Sequence, residues 1–317
     1  SATWEAAHKP NRRRKWWNYG KERLPQWDHV ERPAALRALI LYPLNALVED
    51  QLRRLRQTLD NDQVRGWLDA NRGGNRITFG RYTGLTPISG TEGPSSTKRL
   101  QKELIAMDQA YQQIMAGGGA TEDAKWYFAN PDGAEMWSRW DMQDTPPDIL
   151  ITNYSMLNIM LMRSIESSIF DDTKRWLEDD PYRDTDHPLH VFHLIVDELH
   201  AYRGTPGTEV AYIIRLVLDR LGLEPDSRQL RILTTTASLS DTEKGRKFLR
   251  EFFGRDFADP SRFSFITGDE IRPKKNARFN LSVYGRQFAS FAQTVQPDPT
   301  DPMRPIEPND ENVRQAM

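Results

Sequence analysis

Five short apolar runs, each closed by polar or turn-forming residues, constrain this chain more than any other feature. They occupy residues 36–42, 76–82, 148–152, 189–196 and 229–235. The first, Leu36-Arg37-Ala38-Leu39-Ile40-Leu41-Tyr42, is broken by Pro43 and predicts a buried strand. Behind it, Asn45 is placed to cap a helix in which Leu47, Val48, Leu52, Leu55 and Leu59 recur at helical spacing. Further helices are predicted near 97–115 and over 155–162, 207–221 and 241–253. Strands alternating with helices call for a parallel sheet covered on both faces, an α/β fold.

The remaining segments fit around that frame. Residues 1–35 mix Arg12-Arg13-Arg14-Lys15 with Trp4, Trp16, Trp17, Tyr19 and Trp27 and show little periodicity, as expected of an arm or insertion. Residues 85–147 are irregular, with Pro and Gly turns and a hinge at Gly117-Gly118-Gly119, and are expected to form an insertion within a domain spanning 36–268. Phe263-Ser264-Phe265-Ile266-Thr267-Gly268 is expected to be an exit strand, and residues 269–317, rich in Pro and Asp, a linker or partly disordered tail.

Composition narrows the chemistry. The chain has no cysteine, which excludes disulfides, thiolate zinc sites and a Cys nucleophile. A formal net charge of −2 argues against a uniformly basic coat but leaves room for a local basic track. No apolar run approaches the ~20 residues of a membrane helix. The start, Ser1-Ala2-Thr3-Trp4, lacks both an initiator Met and the layout of a signal peptide, so the expectation is a segment of a longer cytoplasmic protein.

The densest chemistry follows the fourth run, in His193-Leu194-Ile195-Val196-Asp197-Glu198-Leu199-His200. An apolar strand there delivers two adjacent carboxylates to its C-terminal end, where open α/β sheets keep their ligands. One carboxylate can hold magnesium through water against a nucleotide's phosphates, and its neighbour can orient the attacking water. A solvated strand end also accounts for such a pair. Tyr42-Pro43-Leu44-Asn45-Ala46-Leu47-Val48-Glu49-Asp50-Gln51 is a strand, a turn and a helix start, whose outward N–H groups suit a nucleic-acid phosphate. Thr83-Gly84 ends another strand with a hydroxyl and a residue that permits close backbone approach. Asp148-Ile149-Leu150-Ile151-Thr152-Asn153-Tyr154-Ser155 repeats the strand-then-capped-helix design, and Leu233-Thr234-Thr235-Thr236-Ala237-Ser238 ends a strand in hydroxyls able to bond a carboxylate or the His200 ring. Taken singly, each has an equally good account as turn chemistry or helix capping.

Together and in this order, these strings resemble the first RecA-like lobe of superfamily 2 DEAD/DEAH-box helicases. Tyr42–Gln51 is similar to motif Ia, Tyr82-Thr83-Gly84 to motif Ib, and Pro147–Leu157 to the next nucleic-acid contact. Asp197-Glu198-Leu199-His200 is similar to the DEAH-type Walker B box, and Thr236-Ala237-Ser238 to motif III. Tyr-Pro-Leu-Asn-Ala-Leu and Asp-Glu-Leu-His-Ala-Tyr-Arg-Gly further resemble the large bacterial helicases of phage-defence systems and the Lhr-like repair branch. The resemblance covers roughly 36–268 and implies ATP and Mg²⁺ as cofactors, single-stranded or duplex nucleic acid (DNA before RNA) as partner, and a second RecA lobe. By it, Asp197 would hold the Mg²⁺ shell, Glu198 would activate the water, and His200 would signal to Thr236 and Ser238. Pro43, Asn45, Gln51, Thr83, Gly84, Thr152 and Asn153 would meet one strand's backbone. For His200, a histidine satisfied beside the sheet is the plain alternative.

Two departures stand out. No G-x-x-x-x-G-K-[ST] phosphate loop occurs in these residues, and nothing after Gly268 resembles a second lobe. A catalytically inactive RecA-like module that binds nucleic acid or a partner is therefore the rival to an ATP-driven motor. A magnesium nuclease using Asp197 and Glu198 lacks a further carboxylate set. The basic and aromatic arm at 9–37 suits single-strand binding by charge and stacking, or else is a solvated insertion whose Trp residues are pinned to the lobe.

Overall fold

The computed structural model describes residues 15–19, 22–27, 32–43, 45–73, 75–117, 124–202, 204–255 and 263–266. The chain divides into two units, Ser1–Phe263 and Ser264–Met317. In the second, only 264–266 are described, and they carry no helix or strand. In the first, the elements run β1 (Ala38–Tyr42), α1 (Asn45–Leu59), α2 (Asp62–Arg72), β2 (Phe79–Tyr82), α3 (Pro94–Ala116), α4 (Arg139–Asp144), β3 (Ile149–Asn153), α5 (Tyr154–Met162), α6 (Ser167–Glu178), β4 (Phe192–Val196), α7 (Thr205–Leu221), β5 (Leu230–Thr234) and α8 (Glu243–Phe253).

All five predicted strands form, and they make one parallel sheet in the order β2-β3-β1-β4-β5. The α/β fold expected from the alternation of strands and helices is the one observed. The period-2 alternation of side chains splits the sheet's apolar residues between two cores. Ile40 and Tyr42 of β1, Phe79 of β2 and Ile151 of β3 face one way and pack with Val48 and Leu52 of α1. Leu39, Leu41, Leu150, Leu194, Val196 and Leu230 face the other way, under α5, α6, α7 and α8. Burying apolar surface at roughly 25 cal/mol per Å² makes these two faces the main source of stability.

The cover is incomplete at one end. Among the described residues, no strand pairs with the outer edge of β5, and on the α1 face of β4 and β5 Ile195 is only half-buried while Leu233 is 50% exposed. An open edge and an exposed leucine beside it are a liability for an isolated sheet.

Three helices, α2, α4 and α6, appear where no element was expected. Helix α2 starts at the cap Asn61, whose side chain accepts from the Val64 N–H, and ends at Gly73 in the left-handed region. Helix α6 buries Ile169, Phe170, Thr173, Trp176 and Leu177, an amphipathic spacing that the sequence does carry. The expected exit strand is absent over Phe263–Ile266, and Thr267 and Gly268 lie outside the described residues.

The described part of the arm does not hang free. Trp16, Trp17 and Trp27 are buried, and the first two join Ile88, Leu100, Leu104, Trp137 and Trp140 in a third core made by the insertion. Arg23 fastens it further, reaching Glu92 at 3.0 Å, Asp141 at 3.0 Å and Asp144 at 2.5 Å. The rings of Trp16, Trp17 and Trp27 therefore lack the open face that base stacking needs, and the pinned-insertion account holds for them. Trp4 and Arg12-Arg13-Arg14 lie outside the described residues.

Candidate functional site at the C-terminal sheet edge

Parallel pairing sets the register of the whole edge. Tyr82, Thr152, Leu41, Val196 and Thr234 are partners across the five strands. Continuing each strand by one residue reaches Thr83, Asn153, Tyr42, Asp197 and Thr235. The polar residues that end four separate sequence strings thus lie along one rung. Open parallel sheets bind ligands at this edge because every following loop leaves from it.

At the centre of the rung, the Asp197 N–H donates to the Leu41 carbonyl at 3.1 Å. The Asp197 carboxylate accepts from the Thr235 hydroxyl and from the Tyr42 phenol. Burial, then the Asp197 charge, holds the Tyr42 phenol above its ordinary range. The buried Tyr202 phenol is raised in the same order of causes. Asp197 is therefore an acceptor with donors already aimed at it.

Glu198 adopts φ 51 and ψ 47, left-handed backbone at a residue with a side chain. Such a conformation costs on the order of 1 kcal/mol and persists only where the surroundings hold it. Here the Glu198 N–H donates to the Thr235 hydroxyl at 3.2 Å and the Leu199 N–H to the Thr235 carbonyl at 2.9 Å. The Glu198 carboxylate is half-exposed, with His200 Nδ1 at 3.1 Å from its Oε2, a close approach without hydrogen-bond alignment. After the box the chain turns sharply at Gly204 (φ 70), and a side chain at Gly207 would overlap the Tyr202 carbonyl. Glycine at 207 is what lets α7 begin so close to the carboxylates.

The hydroxyl on the carboxylate pair is that of Thr235, one residue before the pair singled out from the sequence. The Ser238 N–H donates to the Thr236 hydroxyl at 3.4 Å, closing a turn in the same loop. The run Thr234-Thr235-Thr236 announced that a hydroxyl would arrive here, but only the β4–β5 register says which.

The expected nucleic-acid contacts fall into two groups. Thr152 is fully buried with its hydroxyl donated to the Tyr82 carbonyl at 2.7 Å. Thr83 is buried as well, its N–H on the Thr86 hydroxyl at 2.9 Å and its own hydroxyl accepting from the Leu85 N–H at 3.3 Å. Both hydroxyls are engaged inside the lobe, that of Thr152 tying the end of β3 to the end of β2 and that of Thr83 closing its own loop. Asn45 and Asn153 face outward. Asn153 caps α5 by accepting the Met156 N–H at 2.8 Å, and its Nδ2 donates to Asn45 Oδ1 at 2.7 Å. Asn45 itself is the first helical residue rather than a flanking cap. Pro43 and Gln51 are half-buried, and Gly84 is exposed with open space where a side chain would stand.

The donor set can be tested against a divalent ion. Among the described residues, no three His, Cys, Asp or Glu side chains lie close enough to hold one. Asp197 with Thr235 offers one carboxylate and one hydroxyl, which suits a magnesium ion held mostly by phosphate oxygens and water. No helix among the described residues is long and apolar enough to cross a membrane.

No family model matches the chain. Druantia protein DruE of Escherichia coli (strain UMEA 4076-1) is 32% identical over 280 residues, covering 75% of this chain. The chain spans only about 15% of the length of that curated relative. Among solved structures, the DUF1998 helicase MrfA bound to DNA is 20% identical with a TM-score of 0.37, covering 69% of this chain and 20% of MrfA. Mycobacterium smegmatis helicase Lhr bound to ssDNA and AMP-PNP is also 20% identical, with a TM-score of 0.38 and coverage of 68% of this chain and 18% of Lhr.

Proposed function

We propose that this chain is the core of the first motor lobe of an ATP-dependent nucleic-acid helicase or translocase, acting on DNA. One observation carries the reading: Thr83, Asn153, Tyr42, Asp197 and Thr235 continue five parallel strands onto a single rung of the C-terminal edge. Asp197 sits where a carboxylate can take a magnesium-bound water, and magnesium supplies charge neutralisation of the nucleotide's phosphates. Glu198, turned outward by its left-handed backbone, is positioned to orient a water and accept its proton. His200, beside Glu198, steers that carboxylate. The other half of the rung, with Asn45, Asn153 and Gly84 outward, suits a sugar–phosphate backbone and carries no base code.

The full-length protein supplies the phosphate loop in this reading, on a strand beside β5 and a helix over Ile195 and Leu233, where the sheet's cover stops. The resemblance to the large bacterial helicases extends the proposal to a role in phage defence in the cytoplasm. The deciding experiment measures nucleic-acid-stimulated ATP hydrolysis by the full-length protein, wild type and Glu198→Gln. Stimulated turnover that the substitution abolishes supports the motor. Nucleic-acid binding with no turnover in either protein replaces it with the inactive RecA-like module.

A further inference from the structure

Beneath the loop that follows β2 lies a charged cluster that the motor reading does not use. Tyr82, which closes β2, is fully buried, and its hydroxyl donates to Glu166 Oε1 at 2.8 Å while accepting from Gln143 Nε2 at 2.7 Å. Glu166 is also fully buried, and its second oxygen, Oε2, has no hydrogen-bond partner. Arg163 Nη2 reaches the same Oε1 at 3.2 Å. A second guanidinium, that of buried Arg139, lies 5.3 Å from the Tyr82 ring centre and donates to the Thr83 carbonyl at 2.6 Å.

The charges do not balance. Two guanidinium groups face one carboxylate, and the Nε of Arg139 has no partner either. A buried carboxylate costs several kcal/mol unless paired, so Arg163 has a reason to stay near Glu166. Yet that pairing occupies few of its five N–H donors, and the Arg163 side chain is 35% exposed. The result is a cation held in place by its inner face with its outer face open. Glu166 links it to Tyr82 at the end of β2, and Gly84, two residues further on, has open space where a side chain would stand. Arginine fixed in this way suits a phosphate oxygen, which it can meet through a planar fork.

We infer that Arg163 is a further phosphate contact for the nucleic-acid strand, and that buried Glu166 is the positioning residue that aims it. This rests on the helicase reading above. The plain alternative is that Arg163 merely neutralises Glu166. The two differ in sign. Under simple charge balance, removing the Glu166 charge makes the surface more positive and tightens nucleic-acid binding. Under positioning, it loosens Arg163 and weakens binding.

The test titrates a fluorescent single-stranded oligothymidine into the full-length protein at several salt concentrations. The proteins are wild type, Arg163→Ala, Arg163→Lys and Glu166→Gln, and a thermal melt of each checks folding. One lost phosphate contact should lower the salt slope by about 0.7 in Arg163→Ala and raise Kd by roughly 5- to 10-fold at low salt. Arg163→Lys should keep the slope, because the point charge survives, and Glu166→Gln should bind more weakly than wild type. An unchanged slope in Arg163→Ala, or tighter binding by Glu166→Gln, overturns the inference while leaving the helicase reading intact. A wild-type protein that binds no oligonucleotide removes both.

Discussion

The Thr235 hydroxyl donates to the Asp197 carboxylate and at the same time accepts the N–H of the next residue, Glu198. One side chain just past β5 thereby sets both the lone pairs left on Asp197 and the left-handed turn that presents Glu198. A threonine at this place is worth more than its own hydrogen bonds, because it fixes the relative placement of two carboxylates.

Removing that hydroxyl should therefore hurt turnover more than folding. For Thr235→Ala in the full-length protein, we expect stimulated ATP hydrolysis to fall about 10- to 100-fold, the scale of a misplaced catalytic group. Thr235→Ser, which keeps the oxygen, should retain most activity. Equal activity in all three proteins would show that the bridge has no catalytic consequence.

Glu198→Gln keeps the shape of the side chain and loses the base. Turnover should drop roughly 100- to 10,000-fold with nucleotide affinity nearly unchanged, since water activation acts on the transition state. The 317-residue chain by itself should show no hydrolysis above background, because its sequence has no phosphate loop. Steady-state phosphate release measures both.

Thr152 and Asn153 are neighbours with different surroundings, and their alanine variants should separate. Thr152→Ala removes the buried hydroxyl bond to the Tyr82 carbonyl and should cost about 1–3 kcal/mol of stability. Asn153→Ala removes the α5 cap, worth about 1 kcal/mol, together with an outward amide. Chemical denaturation should rank Thr152→Ala as the less stable, and oligonucleotide titration should rank Asn153→Ala, combined with Asn45→Ala, as the weaker binder. The reverse order in either assay contradicts the division of labour.

Asp60 gives the lobe a pH dependence of defined sign. Burial pushes its carboxyl up to about 6, against the pull of Arg65 and Arg76. A folded-state value above the unfolded one means that folding takes up a proton, so this group adds stability as pH falls from 7 toward 4 and withdraws it as pH rises through 6. The withdrawal amounts to about 2–3 kcal/mol at 1.36 kcal/mol per unit. Asp60→Asn should therefore gain on wild type as pH rises from 5 to 7.5, read as the difference in denaturation midpoints. A constant difference across that range would show that Asp60 does not titrate there.

Much of this fold is legible in the chain because its signals are local. Apolar runs of strand length alternate with 3.6-residue periodicity, and burial on both faces of a parallel sheet tolerates no other arrangement of such runs. The Asp197-Glu198 pair could be placed at a strand end for the same reason: Val196 is the last apolar residue of its run. What required the tertiary structure was every choice between neighbouring residues of one type. Thr234, Thr235 and Thr236 are equivalent in sequence, and only the β4–β5 register puts Thr235 on Asp197. Thr152 and Asn153 both resemble contacts, but the pleat turns Thr152 inward to Tyr82 and leaves Asn153 at the surface. Trp16 and Trp17 suit stacking by sequence, but the insertion supplies Ile88, Leu100 and Trp137 as their partners. Local pattern decides which segments become strands and helices, whereas facing, register and burial depend on groups tens or hundreds of residues away. Those distant groups determine what each polar side chain is still free to bind.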